Sequence, residues 1–515
     1  MVLNLNFHDS EEGFTPLRSC RWTIAVVLAI AALLSGCTVV PVPLDENAMA
    51  ERAVADISAI GAYQPAPTKP VSLREALART LLHNLDFRLE VTERELAQRE
   101  LALSRYQMLP QLVGNLGFTS RSNFSGATSR SLLTGQQSLV SSTSSDRDVF
   151  TADLGMSWNI LDFGISYVRA QQSANRVMMT EEQKRKVVIR LIQDVRSTYW
   201  QAVSYDRVVT RMTVLAEDVE ESLRELRTVQ AERLDKPLTS LTYQRELISI
   251  KRELDKLHRE LSLAKVKLAA LMNLPPGTDY QVETPAWFGN EEPVDPYAPR
   301  GIDRYPLEEL EKLALTQRSE LRELYYEEQI NAGEVRIALL ELLPGVTLDF
   351  GANRNNNSFL FENDWLDYGS RVSWNLLNVF KMPATNRMAE AREEVLHARR
   401  MALSMALLTQ LHVGLAGYQS AQKELHTATQ YLQTQRQILE QVTRGELARS
   451  VNRQSVIREQ MNTLVADVKY DVAYADMENA YSNTMAAAGI DPAFIDIKTG
   501  TLEEVMAQLE GFEGL

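Results

Sequence analysis

Between Ile165 and Lys236 the chain runs for 72 residues without a glycine or a proline. Few folds accommodate such a stretch. Val188, Val195, Ala202, Val209, Ala216 and Leu223 recur at every seventh position, and Leu191, Thr198, Tyr205, Met212, Val219 and Leu226 form a second seam. This coiled-coil spacing, with two polar lapses, predicts one continuous helix, roughly 108 Å long at 1.5 Å per residue. Such a rod leaves little room for a cleft. Asp235-Lys236-Pro237 breaks it, Leu238–Asn273 is predicted to return as a second helix, and LMNLPPG (Leu271 to Gly277) closes that helix.

Two short islands interrupt the helical periodicity, and both contain the same motif. Ser157-Trp158-Asn159-Ile160-Leu161-Asp162 returns 216 residues later as Ser373-Trp374-Asn375-Leu376-Leu377-Asn378. Before the first copy, Phe150, Ala152, Leu154, Met156 and Trp158 alternate with Thr151, Asp153, Gly155, Ser157 and Asn159. A period of two means a strand with one apolar and one polar face. Similar alternation marks 111–123, 148–161, 345–354 and 366–378 as strands. A Ser/Thr/Gly-rich loop separates the first two, and a loop 18 residues shorter separates the others.

The order of segments repeats. A helix with Ser72 as N-cap and Glu75 completing a capping box runs to Leu109-Pro110; its counterpart over 306–342 reaches Leu343-Pro344, an offset of 234. Each is followed by two strands and a helical hairpin, 165–273 in the first half and 381–488 in the second, the latter hinged at Arg444-Gly445. The chain therefore reads as an internal duplication, 72–273 and 306–488, around a Pro/Gly/acid-rich linker at 274–305 and with a tail at 489–515. The 36-residue helix 238–273 and the 37-residue helix 306–342 together match the long helix, which suggests that they stack end to end. The fold class is mainly α with a small β part, a bundle of long antiparallel helices.

The net charge of −14 argues against a nucleic-acid partner, and Lys184-Arg185-Lys186 reads as a solvated helix face. Cys20 and Cys37 are the only cysteines, so no disulfide framework or multi-cysteine metal site is expected. Arg18 and Arg21 precede an apolar run, Trp22 to Leu34, too short to span a bilayer and suited to a signal segment over 1–36. Leu34-Ser35-Gly36-Cys37 resembles a bacterial lipobox, with Cys37 the residue that would carry lipid. Residues 37–71 then form a proline-rich tether. No cofactor is expected other than that covalent lipid.

Four strands cannot close a barrel, and lipid does not tolerate open edges. If the apolar faces meet lipid, two or more chains must pool their strands. Thr151, Asp153, Ser157, Asn159, Asp349, Asn353, Arg371 and Asn375 would then line a water-filled pore. The other reading is a small soluble sheet packed on the helices.

The doubled unit of helix, Leu-Pro, strand, loop, strand with S-W-N-[IL]-L-[DN], and long hairpin resembles the TolC outer-membrane efflux family, lipoprotein branch, over roughly residues 71–490. The resemblance implies a homotrimer whose twelve strands form one outer-membrane β-barrel above a periplasmic α-barrel. Residues 274–305 and 489–515 would form an equatorial belt. It implies a passive exit duct, anchored in outer-membrane lipid, that serves an inner-membrane pump and a periplasmic adaptor. The hairpin turns would dock the adaptor: Asp235, Lys236 and Pro237 at one, Arg444, Gly445, Glu446, Arg449, Asn452 and Arg453 at the other. Family members often place aspartates after the second turn, whereas this chain has Asn452-Arg453-Gln454-Ser455. Two readings follow: an arginine-latched entrance, or solvent-facing turn charges.

An enzyme is disfavoured. The six histidines form no H-E-x-x-H or comparable ligand spacing, and no G-x-S-x-G elbow occurs. A tethered coiled-coil lipoprotein without a pore is the more serious rival. It explains the heptads but not the two matched pairs of alternating strands.

Overall fold

The computed structural model of the chain describes residues 43–61, 66–138, 140–231, 237–275, 277–284, 295–490 and 500–510. The chain divides into two compact units, 1–62 and 63–515. The first contains α1 (Glu46–Gly61), which exposes Met49, Val54 and Ile57. The signal segment and Cys37 lie outside the described residues.

In the second unit, α2 (Leu73–His83) and α3 (Leu85–Tyr106) lead into β1 (Gln111–Ser120) and β2 (Asp148–Asn159). The hairpin α4 (Ile160–Ala231) and α5 (Pro237–Leu271) follows. After a 3₁₀ turn at Gly301–Arg304 come α6 (Leu307–Gln317), α7 (Ser319–Leu340), β3 (Gly345–Asn355) and β4 (Asp364–Ser373). The second hairpin is α8 (Asn378–Leu447) and α9 (Arg453–Ala487), and α10 (Leu502–Leu509) packs on α2.

The helix α4 is 72 residues long, as the sequence predicts, though it begins at Ile160 and passes through Gly164. Both predicted seams are buried or half-buried. Further positions, among them Ile192, Tyr199, Val203, Val208 and Leu215, are buried as well. The reason is packing on more than one side, since α3, α5, α7 and α9 all lie against α4. By contrast α8, packed chiefly on α9, buries one seam, Leu411, Tyr418, Leu425 and Leu432, and leaves Met401, Met405 and Val413 exposed.

Each predicted helix before a strand pair is in fact two helices. The breaks fall at Asn84 and Arg318, both in extended backbone. Asn84 caps α3, its side-chain oxygen accepting from Asp86 N and Phe87 N, while its amide donates to Leu271 O at 3.1 Å. Arg318 donates to Ala486 O at 3.2 Å. Each break residue thus donates to a carbonyl at a helix end, Ala486 O accepting from Gly489 N as well. This corrects the stacking expected from helix length. The end of α5 meets the start of α3, and the end of α9 meets the start of α7. At the latter joint Gly489, at φ +75°, comes so close to Gln317 that an added Cβ would lie 2.9 Å from Gln317 Cβ. Ser72 caps α2 by accepting from Glu75 N at 3.1 Å, but Glu75 pairs with Arg79 rather than closing the capping box.

The four strands form one antiparallel sheet in the order β1-β2-β3-β4. The alternation survives in the register: Asp153 stands opposite Asn115 and Asn353, Ser157 opposite Asp349, and Thr347 opposite Arg371. The last strand ends earlier than predicted. Ser373 pairs with Gly345, the first residue of β3. Trp374 and Asn375 therefore lie beyond β4. Trp374 donates its indole N–H to Leu342 O at 3.0 Å, and Asn375 accepts from Leu377 N ahead of α8.

Candidate functional site

Two regions gather the residues singled out by the sequence: the sheet and the turn of the second hairpin. The sheet presents two chemically distinct faces. Leu112, Leu116, Phe118, Leu154, Phe350, Leu366, Tyr368 and Val372 share one face and are all exposed. Burying a large apolar side chain is worth about 1.5–3 kcal/mol, so a face of this kind is costly to leave in water.

On the opposite face lie Thr151, Asp153, Ser157, Asn159, Asp349, Asn353 and Arg371, brought together as the alternation predicts. Asn375 does not join them, for the reason given above. Hydrogen bonds run across the strands: Asn115 donates to Asp153 at 2.7 Å, Ser157 to Asp349 at 2.8 Å, and Asn353 to Asp367. Asp367 and Asn115 were not anticipated, although the alternation of their own strands places them here. Asn159 also accepts from Leu161 N at 3.0 Å and so opens α4. Three carboxylates thus share this face with one guanidinium, and β1 and β4 leave the sheet with two unpaired edges.

At the second hairpin the turn differs from the expected hinge. The helix α8 continues through Arg444, Gly445 and Glu446 to Leu447, and the reversal occurs at 448–452. Ser450 N donates to Gly445 O and Arg449 N to Glu446 O, both at 2.8 Å, with Arg449 at φ +56°. This is the hydrogen-bond pattern of a Schellman cap, with arginine in the left-handed position that glycine ordinarily occupies. Gly445 serves a different need: a Cβ there would lie 2.5 Å from Val451 Cγ2. Asn452 caps α9 by accepting from Ser455 N at 3.0 Å. Arg444 pairs with Glu440 one turn back. Arg453 reaches α4, at 3.2 Å from Asp218 and 3.9 Å from Glu221, and Arg458 pairs with Glu246 of α5. At the first hairpin Asp235 and Lys236 lie outside the described residues, and Pro237 is the first residue of α5.

Deeper in the bundle is a charge cluster that the sequence reading missed. Asp467 and Asp471 of α9 are fully buried. Arg207 lies 2.5 Å from Asp471 and 3.5 Å from Asp467, Arg211 is 2.5 Å from Asp467, and Arg436 of α8 is 2.9 Å from its other oxygen. Ser204 donates to Asp471 at 2.8 Å. Burial pushes the Asp471 carboxyl up to about 6, against the pull of Arg207 and Ser204. The matched i, i+4 pairs Arg207/Arg211 and Asp467/Asp471 were the available signal. Three helices, α4, α8 and α9, are joined at this point.

With this geometry in place, the solved structures it resembles are informative. The outer-membrane channel OprN matches with a TM-score of 0.61 at 15% identity, over 81% of this chain and 90% of that one. The fold is that of the TolC-like outer-membrane channels. CmeC of Campylobacter jejuni, an outer membrane channel, matches at 0.61 and 14% identity over 85% of this chain and 89% of its own. CusC, known for conformational changes accompanying folding and transmembrane channel formation, matches at 0.58 and 16% identity over 83% and 95%. No family model and no curated protein matches the sequence itself. The TolC-like fold includes both the four-stranded sheet and the two long hairpins.

Proposed function

We propose that this chain is an outer-membrane exit duct that passively conducts cargo delivered by an inner-membrane pump through a periplasmic adaptor. The observation that carries the reading is the sheet: one exposed apolar face, one polar face with Asp153, Asp349, Asp367 and Arg371, and two open edges, set on helices of 72 and 70 residues. In lipid, edges must be paired and the polar face must meet water. Three copies, twelve strands in all, would satisfy both demands, with Met401, Met405 and Val413 of α8 available to neighbouring copies. Lipid on Cys37 would anchor each copy to the membrane.

Internal duplication is part of the same proposal. It is supported by the helix breaks at Asn84 and Arg318, which share the offset of 234 with Leu109-Pro110 and Leu343-Pro344. At the periplasmic end, Arg453 with Asp218 and Glu221 would latch the second hairpin to α4. The turn around Gly445 and Arg449 would meet the adaptor.

Single-channel conductance of the detergent-purified protein in a planar bilayer tests the reading. Steady, uniform steps from an oligomeric preparation are expected. A soluble monomer without conductance would leave the pore-free coiled-coil lipoprotein.

A further inference from the structure

The loops that join the strands carry apolar side chains at their tips. Leu132 is 102% exposed, Leu133 98% and Phe361 105%. The turn that bears the leucines is not slack. Arg130 pairs with Gln137 in an isolated bridge, Gly135 N donates to Ser131 O at 2.9 Å, and Arg130 Nε donates to Gly135 O at 2.7 Å. A second bridge, Ala127 with Ser142, stiffens the arms.

The two loops are also fastened together. Asn357, 7% exposed, accepts from Asp146 N and donates to Ser144 O, each at 3.0 Å. Ser358 donates to Asp146 through its N–H at 2.6 Å and its hydroxyl at 2.9 Å. One chain thus displays two leucines and a phenylalanine on a single hydrogen-bonded body. Residues 131–138 and 357–361 contain no charged side chain.

We infer that these tips close the outer mouth of the channel by packing against the same tips of neighbouring copies. The inference rests on the ring of copies proposed above. Twelve strands about 4.8 Å apart, tilted by about 40°, enclose a radius of about 12 Å. Each arm of the 121–147 loop has about a dozen residues and can extend beyond about 30 Å. The tips therefore have reach to spare. A second copy is also the occupant for which missing charge matters, because identical charged tips would repel at the axis. Both open edges of the sheet call for neighbouring copies, so the ring that pairs them brings the loops of all copies to one end.

The test is Leu133→Cys in the full-length chain, purified in detergent, with the unsubstituted chain as control for Cys20 and Cys37. Leu133 has no packing to lose. Oxidation is expected to yield disulfide-linked dimers on a denaturing gel and to lower conductance, with reductant restoring it. A preparation that light scattering finds oligomeric, yet that neither cross-links nor changes conductance, overturns the closure and leaves the duct standing. A monomeric preparation overturns both. A second variant, L132S/L133S/F361S, is expected to raise conductance at least twofold. Unchanged conductance overturns the closure, and loss of binding to lipopolysaccharide-containing vesicles in its place would mean that the tips serve the membrane and not each other.

Discussion

Replacing Asp467 with asparagine isolates the cluster that joins α4, α8 and α9. The carboxylate is fully buried and faces Arg211 at 2.5 Å, Arg436 at 2.9 Å and Arg207 at 3.5 Å. Breaking a buried pair costs about 3–5 kcal/mol, largely because the remaining charge is stranded. Stranding is partial here. Arg211 and Arg436 are nearly half exposed and can rehydrate, and Arg207 keeps Asp471 at 2.5 Å. The expected loss for Asp467→Asn is therefore about 2–3 kcal/mol. Denaturant unfolding in detergent, followed by far-ultraviolet circular dichroism, measures it, and Glu253→Gln at an exposed i, i+3 pair with Lys256 is the control, expected to change stability by less than about 0.5 kcal/mol. Combining Asp467→Asn with Arg211→Gln in a double-mutant cycle should reveal coupling of about 1 kcal/mol or more, since Asp467 lies in α9 and Arg211 in α4. A loss within about 0.5 kcal/mol of the parent, or strict additivity of the two changes, refutes the claim that this cluster joins the hairpin to α4.

Arg449→Gly should stabilise the second hairpin by up to about 1 kcal/mol, because it removes a left-handed side chain; calorimetry checks the shift. Gly445→Ala should destabilise it and Gly445→Ala/Val451→Ala should recover most of the loss, as the approach of Val451 Cγ2 requires, which the same scan reads. Asp471 is raised to about 6 in the folded chain from an ordinary 3.8, so its contribution to stability is full below about pH 4 and is lost as pH rises through about 6. Asp471→Asn should flatten unfolding midpoints over that window. The combined Asp153→Asn, Asp349→Asn and Asp367→Asn variant should lower cation over anion preference in reversal-potential measurements, since Arg371 then remains without opposing carboxylates on that face.

Much of the fold was legible because its two periods are so different. Seven-residue seams announced α4, and alternation announced the sheet, including which side chains share a face. The helix breaks were not legible, since neither Asn84 nor Arg318 interrupts the apolar pattern with glycine or proline. Their role lies in carbonyls 187 and 168 residues away, at Leu271 and Ala486. The turn at Arg449 was hidden for a related reason: Gly445, the residue that usually marks a reversal, sits inside α8 and answers to Val451. Asp467 and Asp471 could be seen to interrupt the buried face of α9, but only the contact with α4 and α8 supplies their partners.

The doubled S-W-N motif shows where sequence identity stops deciding structure. In the first copy Trp158 and Asn159 remain in β2, because that strand is internal and Leu348 and Thr347 of β3 lie opposite them. In the second copy the same residue types occur on an edge strand, and the position opposite Trp374 is Pro344. Since β3 begins at Gly345, the partner of Ser373, the chain leaves the sheet after Ser373. Trp374 turns its indole to Leu342 O, and Asn375 caps the approach to α8. Replacing Trp374 with phenylalanine removes the indole donor, so if its bond to Leu342 O ends β4, the amide of Asn375 in that variant should gain protection from hydrogen exchange. Unchanged exchange there would mean that the turn capped by Asn375, rather than the Trp374 hydrogen bond, ends the strand.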